Sequence, residues 1–102
     1  MINYNLCPKV EEAFKIISKK WNALIVRVLF DGPKRFSEVA AEIPDISDRM
    51  LTKRFKELEE KEIIKRQVYP ETPVKIEYTL TKKGEALKPI ISAIEEWAEN
   101  WF

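Results

Sequence analysis

The stretch ISDRMLTKRFKELEEKEIIKR, residues 46–66, decides how the fold is interpreted. A helix turns about 100° per residue, so the apolar side chains of Leu51, Phe55 and Leu58 share one side of it. Four other side chains lie on the opposite side, namely Arg49, Thr52, Lys53 and Lys56. The pattern predicts an amphipathic helix with one buried side and one basic side. Taken alone, the basic side fits a solvated surface as well as a surface that binds an anionic partner.

Length and composition indicate a single globular domain over residues 1–102. Apolar residues make up 45% of the chain and charged residues 34%, which is typical of a soluble protein. The first twelve residues lack the charged and then apolar pattern of a secretion signal, and no apolar run approaches the roughly 20 residues of a membrane span. We therefore expect a cytoplasmic protein with no membrane partner.

The net charge of +1 conceals an uneven distribution. Residues 49–83 contain ten Lys and Arg residues against six Glu, whereas residues 84–102 contain one Lys against four Glu. This local excess of positive charge predicts a patch for an anionic partner rather than a generally basic protein.

The residue inventory argues against catalysis and metal binding. The sequence has no histidine, which excludes Ser-His and Cys-His catalysis and the usual zinc chemistry. The single cysteine, Cys7, forms neither an intramolecular disulfide nor a cysteine cluster, and the two glycines, Gly32 and Gly84, do not make a phosphate-binding loop. We expect no enzymatic activity, no cofactor and no metal.

Apolar periodicity predicts three helices ahead of residue 46, with approximate bounds 8–21, 21–33 and 37–43. Pro8 suits the first turn of the first helix. The second helix is almost wholly apolar and is expected to end at Gly32 and Pro33. Ser47 offers an N-cap hydroxyl to the fourth helix, and Asp48 is favourable in its first turn.

After the fourth helix the apolar period changes from 3.6 to 2 residues. The segments IIKRQVY, residues 63–69, and IEYTL, residues 76–80, alternate in this way and predict the two strands of a hairpin. Thr81 is the expected N-cap of a final helix with a broad apolar side. Pro89 should kink that helix unless it lies within the first turns.

This order of elements predicts a mainly α-helical fold with a small β-hairpin, the winged helix-turn-helix. The PDI link, residues 44–46, has the length of the turn, and the hairpin stands where a wing would. The helix after the turn enters a DNA major groove in this fold, so double-stranded DNA becomes the preferred partner of the basic side. The rival is a winged-helix protein-interaction module without DNA contact, which would present an apolar outer side.

Other cations flank the same helix. Arg35 and Lys34, before the third helix, are candidate contacts to backbone phosphate, as is Ser47 at the N-terminus of the fourth. Arg54 points sideways and either binds a phosphate or pairs with a nearby Glu. Lys75 is either a wing contact or a solvated loop lysine.

An ordered set of short stretches runs through the whole chain: CP at 7–8, KW at 20–21, DGPKRFSE at 31–38, ISDRMLTKRFKELE at 46–59, VYPETPVKIEYTLTKKG at 68–84 and Trp97. In this set the chain resembles the HxlR family of bacterial winged helix-turn-helix transcription regulators. The resemblance implies a homodimer held by the first and last helices, binding an inverted repeat with each wing near the minor groove or backbone. Lys19 and Glu62 stand where members commonly have glycine, so the fourth helix is expected to end differently here.

The last helix carries more apolar surface than a monomer of this size readily covers. We expect Trp97, Trp101 and Ile94 to meet Phe14 of the first helix of a second subunit. Packing within the subunit is the alternative for part of the set, such as Ile90 and Ile94.

Cys7 precedes Pro8, at or near a helix N-terminus, where the helix dipole favours the thiolate. Some members of the HxlR family sense quinones, aldehydes or oxidants through a cysteine in this position. The resemblance therefore allows Cys7 to be a sensor for a small electrophile such as a quinone, with a structural cysteine as the alternative.

Overall fold

The structure is a computed structural model that describes residues 8–102. Within that range, six α-helices and one antiparallel pair of strands follow one another. Their bounds are α1 Pro8–Ser18, α2 Asn22–Val28, α3 Phe36–Glu42, α4 Asp48–Glu60, β1 Ile64–Tyr69, β2 Lys75–Leu80, α5 Lys82–Glu85 and α6 Lys88–Trp101. This order confirms the predicted winged helix-turn-helix, in which α3 and α4 form the helix-turn-helix and the two strands form the wing.

The first two helices end earlier than predicted. Trp21 has a φ of 81°, a left-handed conformation that breaks the helix, so α1 stops at Ser18 instead of reaching Trp21. This conformation costs a side-chain-bearing residue about 1–2 kcal/mol, so contacts around the α1–α2 corner must hold it. Helix α2 ends at Val28, and a 3₁₀ turn, Leu29–Asp31, completes the predicted segment before Gly32.

The helix-turn-helix forms with only small differences from the predicted bounds. Helix α3 begins at Phe36 rather than Ser37, and the Glu38 carboxylate accepts a hydrogen bond from the Arg35 N–H at 2.7 Å. Ser47 is the N-cap of α4, as predicted, because its Oγ accepts a hydrogen bond from the Met50 N–H at 3.1 Å.

Helix α4 ends in the left-handed turn that glycine usually makes. Glu62 has a φ of 61°, its N–H donates to the Glu59 carbonyl, and the Ile63 N–H donates to the Leu58 carbonyl, each at 2.9 Å. These two bonds are those of a Schellman motif. The expectation of a different helix end is therefore wrong, since Glu62 adopts the turn at a cost of about 1 kcal/mol.

The wing pairs in a register that runs from Ile64 opposite Leu80 to Tyr69 opposite Lys75. Its predicted alternation is only partly matched by burial, because Ile64 is buried in β1 whereas Val68 on the same face is 43% exposed. Tyr78 of β2 exchanges two backbone hydrogen bonds with Lys34, of 2.9 and 2.7 Å. The wing is thus attached to the segment that leads into α3.

The predicted last helix is two helices. Thr81 caps the short α5 by accepting a hydrogen bond from the Gly84 N–H at 3.1 Å, and α6 starts separately with Pro89 in its first turn. Pro89 therefore does not kink the long helix. A Cβ on Gly84 would lie 2.1 Å from the Ile63 carbonyl oxygen, so only glycine fits this approach of α5 to the residue before β1.

Among the described residues, the core is one cluster of thirteen buried apolar side chains. They come from α2, α3, α4 and α6, from both strands, and from the 3₁₀ turn and the loops between these elements. The members of the cluster are Ile25, Val26, Leu29, Val39, Ile43, Ile46, Leu51, Phe55, Leu58, Ile63, Ile64, Leu80 and Ile91. None of the helices in residues 8–102 combines the length and the apolar character that crossing a bilayer requires.

Candidate nucleic-acid interface

The apolar side of α4 lies in the centre of the core. Leu51, Phe55 and Leu58 expose 1% of their surface or less. The Phe55 ring stacks on Tyr78 of β2 with 4.2 Å between centroids and meets Phe36 of α3 edge-on at 5.7 Å. These contacts fix α4 against the helix before it and the wing after it.

The opposite side of α4 is exposed and basic. Arg49, Thr52, Lys53 and Lys56 are all exposed. Among the ion pairs of the described residues, none involves Arg49, Lys53 or Lys56. The Thr52 hydroxyl donates to the Asp48 carbonyl at 2.8 Å and leaves its lone pairs as acceptors. The two sides of the helix therefore separate as the spacing predicts, and three cations remain available to an anionic partner.

Arg54 does not belong to this exposed side, and its assignment as a DNA contact is wrong. Its side chain is buried, with 8% of the residue exposed. Its Nε donates to the Lys20 carbonyl at 3.1 Å, and its guanidinium pairs with Glu57 at 2.8 Å. Of the two alternatives left open by the sequence, the structural ion pair is the one present.

The candidate phosphate contacts before α4 differ in how exposed they are and in how many partners they already have within the protein. Ser47 and Arg35 are exposed, and although the Ser47 oxygen already accepts the N-cap hydrogen bond, its hydroxyl proton is still free to be donated to a phosphate. Lys34 lies 3.4 Å from Glu42 with its side chain only 20% exposed. Arg35 is thus the more available of the two cations that precede α3.

The wing carries a cation that sequence reasoning missed. Lys75 is half-buried, lies 3.6 Å from Glu77 and stands over the Tyr69 ring at 5.2 Å, so it is already partly engaged. Arg66, in contrast, is exposed and lies opposite Tyr78, on the same face of the sheet as Ile64. In the alternation of IIKRQVY, Arg66 is in phase with Ile64 and Val68, so only its charge could have signalled that it faces solvent.

A second candidate surface runs along α6. Three of the predicted dimer residues on this helix are exposed, Ile94 by 49%, Trp97 by 56% and Trp101 by 73%, and Phe14 on α1 is exposed by 63%. Pro89, Ile90, Ala93, Ile94 and Trp97 line one open apolar groove of about 520 Å³. The alternative that Ile90 and Ile94 belong to the subunit's own core is wrong, because α6 contributes Ile91 to it instead.

Cys7, the candidate sensor, lies outside the described residues. Its role, as a sensor or as a structural cysteine, therefore stays a prediction.

Comparison with known proteins identifies relatives over nearly the whole chain. A family model described as HxlR-like helix-turn-helix matches residues 16–102. The HTH-type transcriptional regulator YodB of Bacillus subtilis is 54% identical over 96 residues, which cover 94% of this chain and 86% of YodB. The solved reduced form of YodB superimposes with a TM-score of 0.87 at 54% identity, covering 94% of each chain. A quinone-bound form of YodB superimposes with a TM-score of 0.83 at 48% identity, covering 94% of this chain and 100% of that one.

Proposed function

The chain belongs to the HxlR-like helix-turn-helix family and is a transcriptional regulator of that type, and we propose that it acts by binding an inverted-repeat DNA duplex as a homodimer. In this proposal residues 1–102 form a single winged helix-turn-helix domain. The family is one of regulators and not of enzymes.

The observation that carries DNA binding is the basic side of α4, whose cations make no ion pair within residues 8–102. Lys and Arg side chains without carboxylate partners are free to neutralise phosphates, which releases counterions from the duplex. A helix held by its buried side and bearing Arg and Lys on its outer side fits a major groove. An interaction module without DNA contact would need an apolar outer side, and the exposed Arg49, Lys53 and Lys56 argue against it.

Within this surface we assign two kinds of contact. Arg49 and Lys53 address base edges, with guanine as the commonest target of such side chains, and Thr52 lies beside them. Lys56 and Arg35 contact backbone phosphate, as do Ser47 at the helix N-terminus and Lys75 in the wing. Arg66 joins the wing contacts because it is exposed and has no ion-pair partner among the described residues.

The homodimer is supported by the apolar stripe of α6. Ile94, Trp97 and Trp101 are each about half exposed or more, and contiguous exposed apolar side chains of this kind are typical of a surface that another protein covers. A second copy supplies the same stripe together with Phe14 of α1, which makes the contact self-complementary under two-fold symmetry. Two α4 helices related in this way would read the two halves of an inverted repeat.

The test begins with selection of bound sequences from random duplexes by the purified protein, followed by footprinting. We expect a two-fold symmetric site whose half-site centres lie about one helical turn, or a multiple of it, apart. Arg49→Ala and Lys53→Ala should each weaken the selected site by about 1–3 kcal/mol and relax preference at particular base pairs. Lys9→Ala, which removes the same charge from α1, is the matched control. Footprints of a single half-site under a stable dimer, or affinity unchanged by both α4 variants, would overturn the proposal.

We also propose that quinones regulate this DNA binding through Cys7. The support is the quinone-bound form of the relative YodB and the presence of a single cysteine in this chain. The Cys7 thiolate would add to a ring carbon of the quinone, forming a carbon–sulfur bond. The ring electrons move to a carbonyl oxygen, which takes up a proton from solvent. The ring proton at the substituted carbon then shifts to the other oxygen, which leaves a thioether of the hydroquinone.

Such an adduct would act on the dimer rather than on α4, because Cys7 directly precedes α1. A changed contact between α1 and the partner's α6 would alter the separation of the two α4 helices and lower operator affinity. The experiment measures operator affinity of wild type and Cys7→Ser before and after quinone treatment. Loss in wild type alone supports the proposal, whereas equal loss in both or loss in neither contradicts it.

A further inference from the structure

Helix α1 is weakly anchored by apolar packing. None of its residues from Pro8 to Ser18 is buried, and Ile16 is only partly buried against the core. This contrasts with α4, whose apolar side chains are almost fully enclosed. Core packing alone therefore fixes the position of α1 relative to α4 only weakly.

A cavity of about 360 Å³ lies between α1 and the C-terminal half of α4, with Ile16 and Leu58 among its walls. Asn22 also lines it and is 4% exposed. The Asn22 amide donates to the Ile16 carbonyl at 3.0 Å, but its buried Oδ1 finds no donor among the described residues. Because this gap is not filled by packed side chains, the distance between the two helices depends on the polar groups that span it.

Two ion pairs span the gap. Lys61, which caps the end of α4, pairs with Glu12 of α1. Lys19, just after α1, lies 3.0 Å from Glu57 of α4. Both pairs lie on the cavity wall, so they bridge the helices where packing is absent.

A third connection comes from Arg54, the side chain that does not face DNA. It holds the carbonyl of Lys20, the residue before the strained Trp21, and also pairs with Glu57. Arg54 is thereby linked to the α1–α2 corner through its own hydrogen bond and through the Lys19–Glu57 pair. A buried guanidinium with two directed bonds is a stiffer connection than the exposed pairs.

We propose that Arg54, Glu57 and the Glu12–Lys61 pair are positioning residues that hold α4 at a fixed orientation to α1 and so match the dimer to one half-site spacing. This inference rests on the proposed function, since it takes α1 as part of the dimer contact and α4 as the DNA-reading helix. The duplex fixes the distance between half-sites, so a dimer whose α4 helices tilt on α1 loses simultaneous contact with both.

The first test is a charge exchange in the Glu12–Lys61 pair, whose side chains make no other ion pair among the described residues. Glu12→Lys, Lys61→Glu and the double variant are compared by the ratio of affinity for the inverted repeat to affinity for an isolated half-site. The half-site duplex is matched in length, with its second half-site scrambled, so that the added or removed charge affects general DNA attraction in both duplexes alike. Each single variant should lower the ratio by roughly two- to fivefold, as expected for exposed ion pairs, and the double variant should restore it.

The second test is Arg54→Lys, which keeps the charge but loses the paired geometry of the guanidinium. The ratio should fall roughly tenfold, and a series of operators with altered half-site spacing should show a broader preference than wild type. Hydrogen exchange of α1 amides provides a readout without DNA, and we expect faster exchange in each single variant.

The outcomes separate the two proposals. A wild type that binds no duplex overturns the proposed function and this inference with it. If wild type binds but the ratio and the spacing preference of all variants stay unchanged, only the inference is overturned. Faster α1 exchange with an unchanged ratio would show that the connections stabilise α1 without positioning α4, and so would also overturn it.

Discussion

Helices α4 and α6 are both amphipathic, but the apolar side of α4 is buried and most of the apolar side of α6 is exposed. The apolar stripe of α4 is enclosed, with Phe55 1% exposed, whereas Trp97 on the stripe of α6 is 56% exposed. Their outer sides differ as well, since α4 presents Arg and Lys, whereas the charged residues among the last nineteen are four Glu and one Lys. The helical spacing of apolar residues therefore predicts which side of a helix is apolar, but not which part of the protein or of a partner packs against that side. For α4 the cover is the subunit's own core, and for α6 we propose a second copy.

The largest expected effect is the loss of a buried side chain from α4. Phe55→Ala removes the ring that contacts both Phe36 and Tyr78 and should lower the free energy of unfolding by about 3–5 kcal/mol. Urea denaturation measures this change. The loss should not depend on protein concentration, because the contacts lie within one subunit, and a loss below about 1 kcal/mol would contradict the packing described.

Residues on α4 also show how far the sequence could predict the structure. The spacing of Leu51 and Phe55 predicts their burial, because both lie on one side of a single helix. Arg54 lies between the two sides, and its burial depends on the Lys20 carbonyl, a contact 34 residues away that periodicity does not encode. The end of α1 before Trp21 and the exposure of Val68 could not be predicted for the same reason. Each depends on residues that come close only when the chain is folded.

The next largest effect is expected on α6. Trp97→Glu places a carboxylate in the proposed subunit contact and should weaken dimerisation by about 2–4 kcal/mol. Sedimentation over a range of concentrations measures the shift toward monomer. Glu96→Gln, an exposed neighbour on the same helix, is the control and should leave the association unchanged. A Trp97→Glu protein that remains as strongly associated as wild type would place the contact elsewhere.

A smaller effect is expected for a single phosphate contact on α4. Lys56→Ala should weaken all duplex sequences alike and reduce the steepness of the salt dependence by about one ion per subunit. Binding titrations at several salt concentrations check this, with Lys9→Ala on α1 as the charge-matched comparison. A change in base preference instead of a uniform loss would assign Lys56 to base reading.

The smallest effect concerns pH. The hydrogen bond and charge of Lys61 lower the pKa of Glu12 below its usual 4.5, and the hydrogen bond from Lys19, aided by Arg54, lowers the pKa of Glu57 likewise. A carboxyl group with a lowered pKa in the folded state stabilises the fold above pH 4.5, and that contribution disappears as the pH falls through the lowered pKa. These carboxyl groups are solvent-accessible, so each contribution is small.

Glu57→Gln tests the pH dependence. Its unfolding free energy should fall less steeply than that of wild type as the pH drops below 4.5. Parallel profiles for the two proteins would mean that Glu57 does not stabilise the fold through its charge.

The central claim is that the two amphipathic helices have separate roles: α4 binds DNA, and α6 binds a second copy of the chain. Sedimentation velocity with a labelled duplex of the selected site tests it most directly, because free duplex and duplex with one or two subunits separate in one run. Wild type should appear as a two-subunit complex. Arg49→Ala combined with Lys53→Ala should leave a protein dimer without DNA, and Trp97→Glu should give only weak complexes with one subunit. A double α4 variant that still carries the duplex as a dimer, or a Trp97→Glu protein that binds as wild type does, would contradict this division.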